Sequence, residues 1–390
     1  MLDHVLQDKL AELKRRGLYR YLRLISGQQT TVVTLEGREV VLLSSNNYLD
    51  LANHPEVKRA AAEALESYGC GAGASRLISG TMDLHAQLET KLAEFKGTEA
   101  ALVLGSGYHA NTGVIPALMG PGDVVLSDEL NHASIIDGCR LSRTETQIFR
   151  HRDMGHLEEL LACAPPTGQR LIVTDSVFSM DGDIAPLREI VALARRYRAW
   201  VMVDEAHATG VFGPSGAGVA EEMGLQGHIE IQMGTLGKAL GSFGAYVAGS
   251  RVLIEWIINR ARSFIYSTAL PPPVLAGALA ALYIVKSEPE RRRRLWNNAA
   301  FLRQGLSELG YRLGETASPI LPVLIGDEEV TMALCAALLQ RGVFAHGIRP
   351  PTVPERTARL RVTPMATHTH EELERALGAF AKAGKEVGVL

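Results

Sequence analysis

Short apolar segments alternate with amphipathic segments from residue 100 onward. The apolar segments are rich in Val, Ile, Leu and Ala, which is typical of strands that are buried on both faces. We predict strands at residues 100–104, 124–126, 171–174, 200–203, 229–233 and 245–248. Helices are predicted to begin near Tyr108, Ala133, Leu157 and Pro186. This alternation predicts an α/β fold with a mostly parallel sheet in its large domain.

The two ends of the chain have different patterns. Val5, Leu6, Leu10 and Leu13 recur at helical spacing, and residues 31–35 and 40–43 are predicted to form a hairpin. Residues 320–325, 343–345 and 358–362 are predicted strands of a smaller C-terminal α/β unit, with helices at 332–340 and 371–381. A long helical stretch after Pro273 separates this unit from the sheet. We therefore expect an N-terminal segment (1–48), a large domain (49–285) and a small C-terminal domain (286–390).

Composition excludes several classes of protein. The chain has 390 residues, a net charge of -3 and 46% hydrophobic residues, which is an ordinary balance for a globular protein and argues against a nucleic-acid-binding surface. Its 4 cysteines are scattered without metal-ligand spacing, and no signal peptide or membrane span is evident. We expect a cytoplasmic protein without a metal, a membrane or a nucleic acid as partner.

Lys238 lies on a glycine-rich turn directly after a predicted buried strand. A lysine in such a place can present a desolvated amine to a pocket, and a neutral amine can form a Schiff base with an aldehyde. A P-loop would need glycine at position 232 and a hydroxyl at position 239, but the chain has Gln232 and Ala239. The remaining alternative is a turn lysine without a chemical role.

A second glycine-rich turn, at residues 105–110, follows a predicted strand and begins a helix. Backbone N–H groups at such a helix start can bind a phosphate. The turn also satisfies Gly-x-Gly-x-x-Ala, so a dinucleotide site with Asp128 as its ribose-binding acid is an alternative. That alternative gives no role to Lys238, Asp204 or His207.

Asp204 follows a predicted strand, and His207 comes three residues later. The pair is compatible with a satisfied turn and a core histidine. A buried carboxylate in this position can also hold a protonated pyridine nitrogen. The order along the chain, with a phosphate turn, then a ring acid, then a lysine, is what pyridoxal phosphate requires on a parallel sheet.

The chain resembles the α-oxoamine synthase family of fold-type-I pyridoxal-phosphate enzymes. The resemblance extends over nearly the whole chain, at residues 44–49 (SSNNYL), 106–111 (SGYHAN), 128–134 (DELNHAS), 177–183 (VFSMDGD), 204–207 (DEAH), 235–238 (TLGK) and 349–354 (RPPTVP). It implies a homodimer with active sites at the interface, and a decarboxylative condensation of an amino acid with an acyl thioester. Residues 349–354 favour L-alanine and a pimeloyl thioester, whereas residues 17–20 favour glycine and an acetyl thioester.

The resemblance also implies roles for individual residues. Lys238 would link to the cofactor aldehyde, Asp204 would pair with the ring nitrogen, and His132 would stack on the ring. Five further groups would contact the cofactor. Ser179 and His207 would lie near the phenolic oxygen, and the N–H groups of Gly107 and Tyr108, with the Thr235 hydroxyl, would bind the phosphate. Asn46 and Arg361 would hold the amino-acid carboxylate. Arg20 and Thr352 would contact the acyl substrate, and His132 would also reach the substrate. The expected catalytic residues are Lys238, His132, Asp204 and His207.

Overall fold

Helices and strands alternate along the computed structural model, which describes residues 1–165 and 167–390. The helices are α1 (Leu2–Arg15), α2 (Pro55–Tyr68), α3 (Asp83–Lys96), α4 (Gly107–Leu118), α5 (Ala133–Ser142), α6 (Met154–Cys163), α7 (Leu187–Tyr197), α8 (Val219–Glu222), α9 (Arg251–Arg260), α10 (Arg262–Ile265), α11 (Pro272–Ser287), α12 (Pro289–Glu308), α13 (Glu328–Gln340) and α14 (His370–Glu386). The strands are β1 (Ile25–Ser26), β2 (Val32–Leu35), β3 (Arg38–Leu42), β4 (Ala100–Leu104), β5 (Val124–Asp128), β6 (Glu145–Phe149), β7 (Arg170–Asp175), β8 (Trp200–Asp204), β9 (Ile231–Thr235), β10 (Ala245–Gly249), β11 (Leu321–Gly326), β12 (Val343–Phe344), β13 (His346–Ile348) and β14 (Ala358–Val362).

The central sheet confirms the predicted mostly parallel architecture. Its strand order is β4-β10-β9-β8-β7-β5-β6, and β10 runs antiparallel to both of its neighbours. The pairs β5–β6, β5–β7, β7–β8 and β8–β9 are parallel. The edge strand β6 is absent from the predicted strands. Most of its residues are exposed, so it lacks the continuous apolar run that marks its buried neighbours.

Both faces of this sheet are covered, because successive residues of a strand point to opposite sides. In β8, Val201 and Val203 pack into one hydrophobic cluster, whereas Met202 packs into the other. Each of these side chains is almost completely buried, which stabilises the fold by about 1.5–3 kcal/mol per residue. The sheet is therefore a rigid support for the loops at the carboxyl ends of its parallel strands.

Two smaller sheets lie outside the central one. The first has the order β11-β14-β13, and the second has the order β1-β2-β3-β12. The strand predicted at residues 343–345 exists, but it pairs in parallel with β3 of the N-terminal hairpin and not with the C-terminal sheet. The physical reason is a shared apolar core, because Val41 and Val343 are both fully buried in one cluster with the C-terminal helices.

The long helical stretch after Pro273 is two helices, α11 and α12. Pro289 begins the second helix, since proline fits a first turn but restricts the residue before it. The arginines at residues 291–294 lie in α12, where Arg292 donates to the carbonyls of Val285 (2.5 Å) and Pro214 (2.6 Å). No helix in the described part of the chain has the length and apolar composition required to cross a membrane.

Candidate active site

The loops that follow β4, β7, β8 and β9 meet at one edge of the central sheet. Asp175 and Asp204, the last residues of β7 and β8, are direct partners in the parallel ladder. Thr235 ends β9, and Lys238 follows on the next turn. Gly241 shapes this turn, because it adopts a positive φ of 60° and a Cβ there would lie 2.2 Å from the backbone nitrogen of Ala52.

Lys238 is the start of a row of contacting polar groups. Its Nζ lies 2.8 Å from Nε2 of His207, and Nδ1 of His207 lies 2.7 Å from the hydroxyl of Tyr48. The Tyr48 oxygen accepts a hydrogen bond of 3.0 Å from Nη2 of Arg361. The structure therefore brings three of the predicted site residues together and adds Tyr48 between them.

Burial sets the charges in this row. Desolvation, assisted by the Arg361 guanidinium, lowers the pKa of Lys238 to about 8, although Asp204 and Asp175 oppose the shift. Burial also lowers the pKa of His207 well below its usual range, and the neighbouring Lys238 acts in the same direction. His207 is thus a neutral imidazole that can accept from Lys238 at Nε2 and donate to Tyr48 at Nδ1.

Asp204 is buried and held from two sides. Its Oδ2 accepts a 2.9 Å hydrogen bond from Nδ2 of Asn111, and its Oδ1 accepts a 2.9 Å hydrogen bond from the N–H of Ala206. Burial and the adjacent Asp204 raise the pKa of Asp175 well above its usual range. Asp175 therefore keeps its proton to a higher pH than an ordinary aspartic acid.

His132 caps the start of α5. Its Nδ1 accepts from the N–H of Ser134 (3.2 Å), and its own N–H donates to Oδ2 of Asp175 (2.7 Å). Burial lowers the pKa of the His132 imidazole, with Lys238 adding to the shift and Asp204 opposing it. The residue is nevertheless exposed, so its ring is accessible to a ligand.

The predicted phosphate turn forms the start of α4. The Oγ of Ser106 caps the helix by accepting from the N–H of His109 (3.1 Å). Within residues 1–165 and 167–390, the N–H groups of Gly107 and Tyr108 have no protein acceptor. Thr235 ends β9, which β10 separates from β4, and its hydroxyl donates to the carbonyl of Gly244 (3.1 Å), so this hydroxyl would have to turn to reach a phosphate.

Arg361 links the small C-terminal sheet to this crevice. It is buried on β14, and its Nε donates to the carbonyl of Ser179 (2.5 Å). The Tyr48 hydroxyl donates to Oδ1 of Asn46 (3.4 Å), so Asn46 and Arg361 contact the same hydroxyl. The Ser179 group that contacts Arg361 is therefore the backbone carbonyl. Among the described residues, the Ser179 hydroxyl makes no hydrogen bond.

Arg20 and Thr352 lie at the edge of the site. Both residues are exposed, and neither side chain makes a hydrogen bond in the part of the chain that the structure describes. Their two segments are connected by Arg349, whose Nη2 donates to the carbonyl of Tyr19 (3.1 Å). The structure thus brings the two segments together without bringing either side chain to Lys238.

The dinucleotide alternative does not fit the contacts of Asp128. Its carboxylate accepts from the N–H groups of Leu130 (2.9 Å) and Arg152 (3.0 Å) and also faces His151 (2.9 Å). These contacts use the oxygens that a ribose would need. Asp128 therefore has a structural role in this crevice.

Three residues without a predicted role also lie here. Tyr48, Asn111 and Asp175 contact His207, Asp204 and His132, respectively. The partners are far apart in the chain, so spacing alone contains no signal for these contacts. Tyr48 and Asn111 do belong to segments 44–49 and 106–111 of the family resemblance, and Asp175 lies at the end of a buried strand, level with Asp204.

These groups fit pyridoxal phosphate. The helix start offers two N–H groups to an anion, and the helix dipole favours negative charge there. A buried carboxylate, oriented by Asn111, suits a protonated ring nitrogen. The amine of Lys238, with its lowered pKa, suits an aldehyde. The three groups lie at or just after the ends of β4, β8 and β9, at one edge of the central sheet.

Comparison with known proteins gives the same assignment. The family model for aminotransferase class I and II matches residues 38–380. The chain is 58% identical to 8-amino-7-oxononanoate synthase from Geobacter sulfurreducens, with 98% of each chain covered. It is 51% identical to the protein of the same name from Symbiobacterium thermophilum, with 100% of each chain covered.

Solved structures agree with the fold. Serine palmitoyltransferase from S. paucimobilis, with a bound PLP–myriocin aldimine, has a TM-score of 0.94 at 38% identity, covering 99% of this chain and 98% of that one. The 8-amino-7-oxononanoate synthase from Francisella tularensis has a TM-score of 0.77 at 28% identity, covering 89% and 98%. The chain belongs to the aminotransferase class I and II family and, within it, to the α-oxoamine synthases, a family of pyridoxal-phosphate enzymes.

Proposed function

We propose that this chain is an 8-amino-7-oxononanoate synthase of biotin synthesis. It condenses L-alanine with pimeloyl-CoA, or with a pimeloyl carrier protein, and releases the thiol and carbon dioxide. Relatives with this name are 58% and 51% identical along essentially the full chain. The observation that carries the proposal is the continuous row from Lys238 through His207 and Tyr48 to Arg361.

Lys238 has two tasks in this proposal. When bound, pyridoxal phosphate supplies an aldehyde that links to an amine and a pyridine ring that withdraws electrons from the α-carbon of the amino acid. Lys238 holds the cofactor between turnovers. After the substrate amine takes its place, the neutral Nζ removes the α-proton. The lowered pKa of Lys238, about 8, keeps a useful fraction of the amine neutral near physiological pH.

Asp204 and His132 act on the cofactor ring. The Asp204 carboxylate keeps the ring nitrogen protonated, and the hydrogen bond from Asn111 keeps that carboxylate in place. The exposed ring of His132 would stack on the cofactor and reach the thioester carbonyl. His207 and Ser179 would lie near the phenolic oxygen. The N–H groups of Gly107 and Tyr108 and the Thr235 hydroxyl would hold the phosphate.

Arg361 binds the carboxylate of L-alanine. Its guanidinium is buried, and a planar fork of N–H donors matches a carboxylate in two bonds. Asn46 assists from the other side of the Tyr48 hydroxyl. Because Arg361 also contacts Tyr48, substrate binding at the carboxylate is connected to His207 and Lys238. Arg20 and Thr352, which are exposed, contact the acyl substrate.

We also propose that the enzyme is a cytoplasmic homodimer with the three parts 1–48, 49–285 and 286–390. The exposed apolar side chains of Leu77 and Ile78 support assembly of a dimer. The preceding residue, Arg76, lines a small cavity with Gly105 and Ser267, so this apolar surface adjoins the active site. Among the described residues, all four cysteines are free thiols, as expected in a reducing compartment.

Thiol release with a panel of substrates tests this function. L-alanine, glycine and L-serine would each be offered with acetyl-CoA and with pimeloyl-CoA, with Lys238→Ala as the inactive control. We expect the highest kcat/KM for L-alanine with pimeloyl-CoA. The highest kcat/KM for glycine with acetyl-CoA would instead identify a glycine C-acetyltransferase (2-amino-3-ketobutyrate CoA ligase) and refute the proposal.

A further inference from the structure

His151, in the turn after β6, lies between two carboxylates. Its Nδ1 is 2.9 Å from Oδ1 of Asp128, and its Nε2 is 2.7 Å from Oδ2 of Asp183. The three side chains are 19%, 2% and 11% exposed, so solvent screens their charges weakly. In the described parts of the chain, no group of three or more His, Cys, Asp or Glu residues is arranged to hold a metal ion.

The geometry determines the charge of His151. Ionised carboxylates only accept hydrogen bonds, so each ring nitrogen must carry a proton to bind its neighbour. His151 is therefore an imidazolium. Although burial opposes that charge, the hydrogen bonds to Asp128 and Asp183 raise the pKa of His151 to about 9.

Other charged groups around His151 leave it as the main buried cation. Oε1 of Glu129 accepts from the backbone N–H of His151 (2.9 Å). Nη1 of Arg152 donates to Oδ2 of Asp183 (3.1 Å), but the Arg152 side chain is 40% exposed. The ring of Phe178 packs edge-on against the imidazole, with centroids 4.4 Å apart. Oδ1 of Asp183 is buried without a partner, so loss of the His151 charge would leave Asp183 poorly compensated.

Each of the two carboxylates belongs to a turn that carries a proposed site residue. Asp128 begins the turn to His132, where it accepts from the N–H of Leu130. The carbonyl of Asp183 accepts from the N–H of Phe178 and closes the turn that contains Ser179. The Ser179 carbonyl in turn holds Arg361.

We propose that His151 is a positioning residue, which clamps the His132 turn to the Ser179 turn and thereby shapes the cofactor site. When His151 loses its proton, at least one of the two hydrogen bonds is lost and the turns separate more easily. Cofactor affinity then falls at alkaline pH. This inference rests on the proposed roles of His132 and Ser179, and it adds a residue that contacts neither the cofactor nor the substrates.

The test is the dissociation constant of pyridoxal phosphate, measured by titration of the apoenzyme between pH 6.5 and pH 10.5. At each pH, the dissociation constant for His151→Gln is divided by that for the unmodified enzyme. This ratio reports the effect of His151 alone, because Lys238 and the cofactor titrate in both proteins. We expect a ratio of roughly ten near pH 7, from the loss of a charged hydrogen bond. The ratio should fall towards one as pH rises through about 9.

Two further variants complete the test. His370→Gln is the matched control, since His370 pairs with Glu374 on the exposed surface, and its ratio should stay at one at every pH. Asp183→Asn removes one anion from His151, so the alkaline loss of affinity should move to lower pH. The visible circular dichroism of the bound cofactor should also weaken in His151→Gln.

If the ratio for His151→Gln does not change with pH, the proposed clamp is wrong. The proposal is also wrong if Asp183→Asn loses cofactor affinity at the same alkaline pH as the unmodified enzyme. These titrations contain no amino acid and no thioester. Failure of the proposed synthase activity would therefore leave their outcome unchanged, so the two proposals fail separately.

Discussion

Lys238 is surrounded by charges that act in opposite directions on its amine. Burial and Arg361 favour the neutral form, whereas Asp204 and Asp175 favour the charged form. The balance lowers the pKa to about 8 and makes the amine reactive more than two pH units below an ordinary lysine. A large fraction of the Lys238 amine is therefore neutral near pH 8.

The rate at which the apoenzyme recombines with pyridoxal phosphate should report this pKa. Because only the neutral amine attacks the aldehyde, the rate should rise with pH and level off above about pH 8. The readout is the amount of cofactor that borohydride fixes to the protein in short time courses. Lys238→Ala should fix none. A midpoint near pH 10, or fixation in the variant, would contradict the assignment.

Asp204→Asn should separate cofactor binding from proton removal. The asparagine fills the same space but cannot hold the ring nitrogen in its protonated form, so exchange of the α-hydrogen of L-alanine in deuterated water should slow by roughly 10²- to 10³-fold. Asp153→Asn is the control, because Asp153 caps α6 at the surface. An exchange rate in Asp204→Asn equal to that of Asp153→Asn would exclude the ring-acid role.

At the residue scale, the chain's own pattern indicates the reactive groups but not the residues that hold them. Lys238, Asp204 and the turn at Gly107 stand at strand ends, where chemistry is expected in a parallel sheet. Asn111 and Tyr48 act through contacts with residues 93 and 159 positions away. Such contacts depend on the tertiary fold, so periodicity and spacing cannot predict them.

At the level of elements, the turn between β7 and α7 connects the large sheet to the small C-terminal unit. Gly182 has a φ of +71°, and a Cβ there would lie 2.5 Å from the carbonyl oxygen of Ile320. The same turn carries Ser179, whose carbonyl binds Arg361, and Asp181, which pairs with Arg359. The turn therefore helps to orient the strand that presents Arg361.

Gly182→Ala should disturb this turn, and Gly388→Ala provides a matched control. Gly388 has a similar φ of +73° but no atom within 4 Å of a Cβ. We expect Gly388→Ala to cost about 1 kcal/mol of stability from backbone strain alone. Gly182→Ala should cost about 1–3 kcal/mol more from the steric clash.

The two glycine variants would be compared by thermal denaturation and by the KM for L-alanine. Gly182→Ala should lower the midpoint further and raise KM, since Arg361 loses its support. Equal midpoints and equal KM values in the two variants would show that the turn does not position Arg361.

Elements were predictable where burial was uniform. The strands β4, β7, β8 and β10 are almost continuously buried, and their apolar runs identified them. The edge strand β6 has three exposed residues, so its apolar pattern does not predict it. The pattern predicts β12, but its partner β3 lies about 300 residues earlier, and local pattern cannot identify such a partner.

For the whole molecule, apolar side chains remain exposed on two surfaces. Ile78 is 80% exposed, and its segment adjoins the phosphate turn through the cavity shared by Arg76 and Gly105. Val252 is 76% exposed and lines a cavity at the amino ends of the strands, with Trp200 and Ile231. The proposed dimer brings the active sites to the interface, so Ile78 should be covered and Val252 should not.

Charged substitutions at these two positions should therefore differ in their effect on assembly. Ile78→Asp would place a desolvated carboxylate in the interface and should shift the protein towards monomer. Val252→Asp should leave the dimer intact. Light scattering coupled to size-exclusion chromatography measures both masses. An Ile78→Asp protein that stays dimeric at micromolar concentration would place the interface elsewhere.

The central claim concerns the fate of the alanine carboxyl group and nitrogen. L-alanine labelled with ¹³C at the carboxyl carbon and with ¹⁵N would be incubated with the enzyme and pimeloyl-CoA, and the products would be analysed by mass spectrometry. The proposed reaction predicts one ¹³CO₂ for each thiol released and an 8-amino-7-oxononanoate that contains ¹⁵N but no ¹³C. Thiol release without ¹³CO₂, or a product that keeps the ¹³C, would contradict the account.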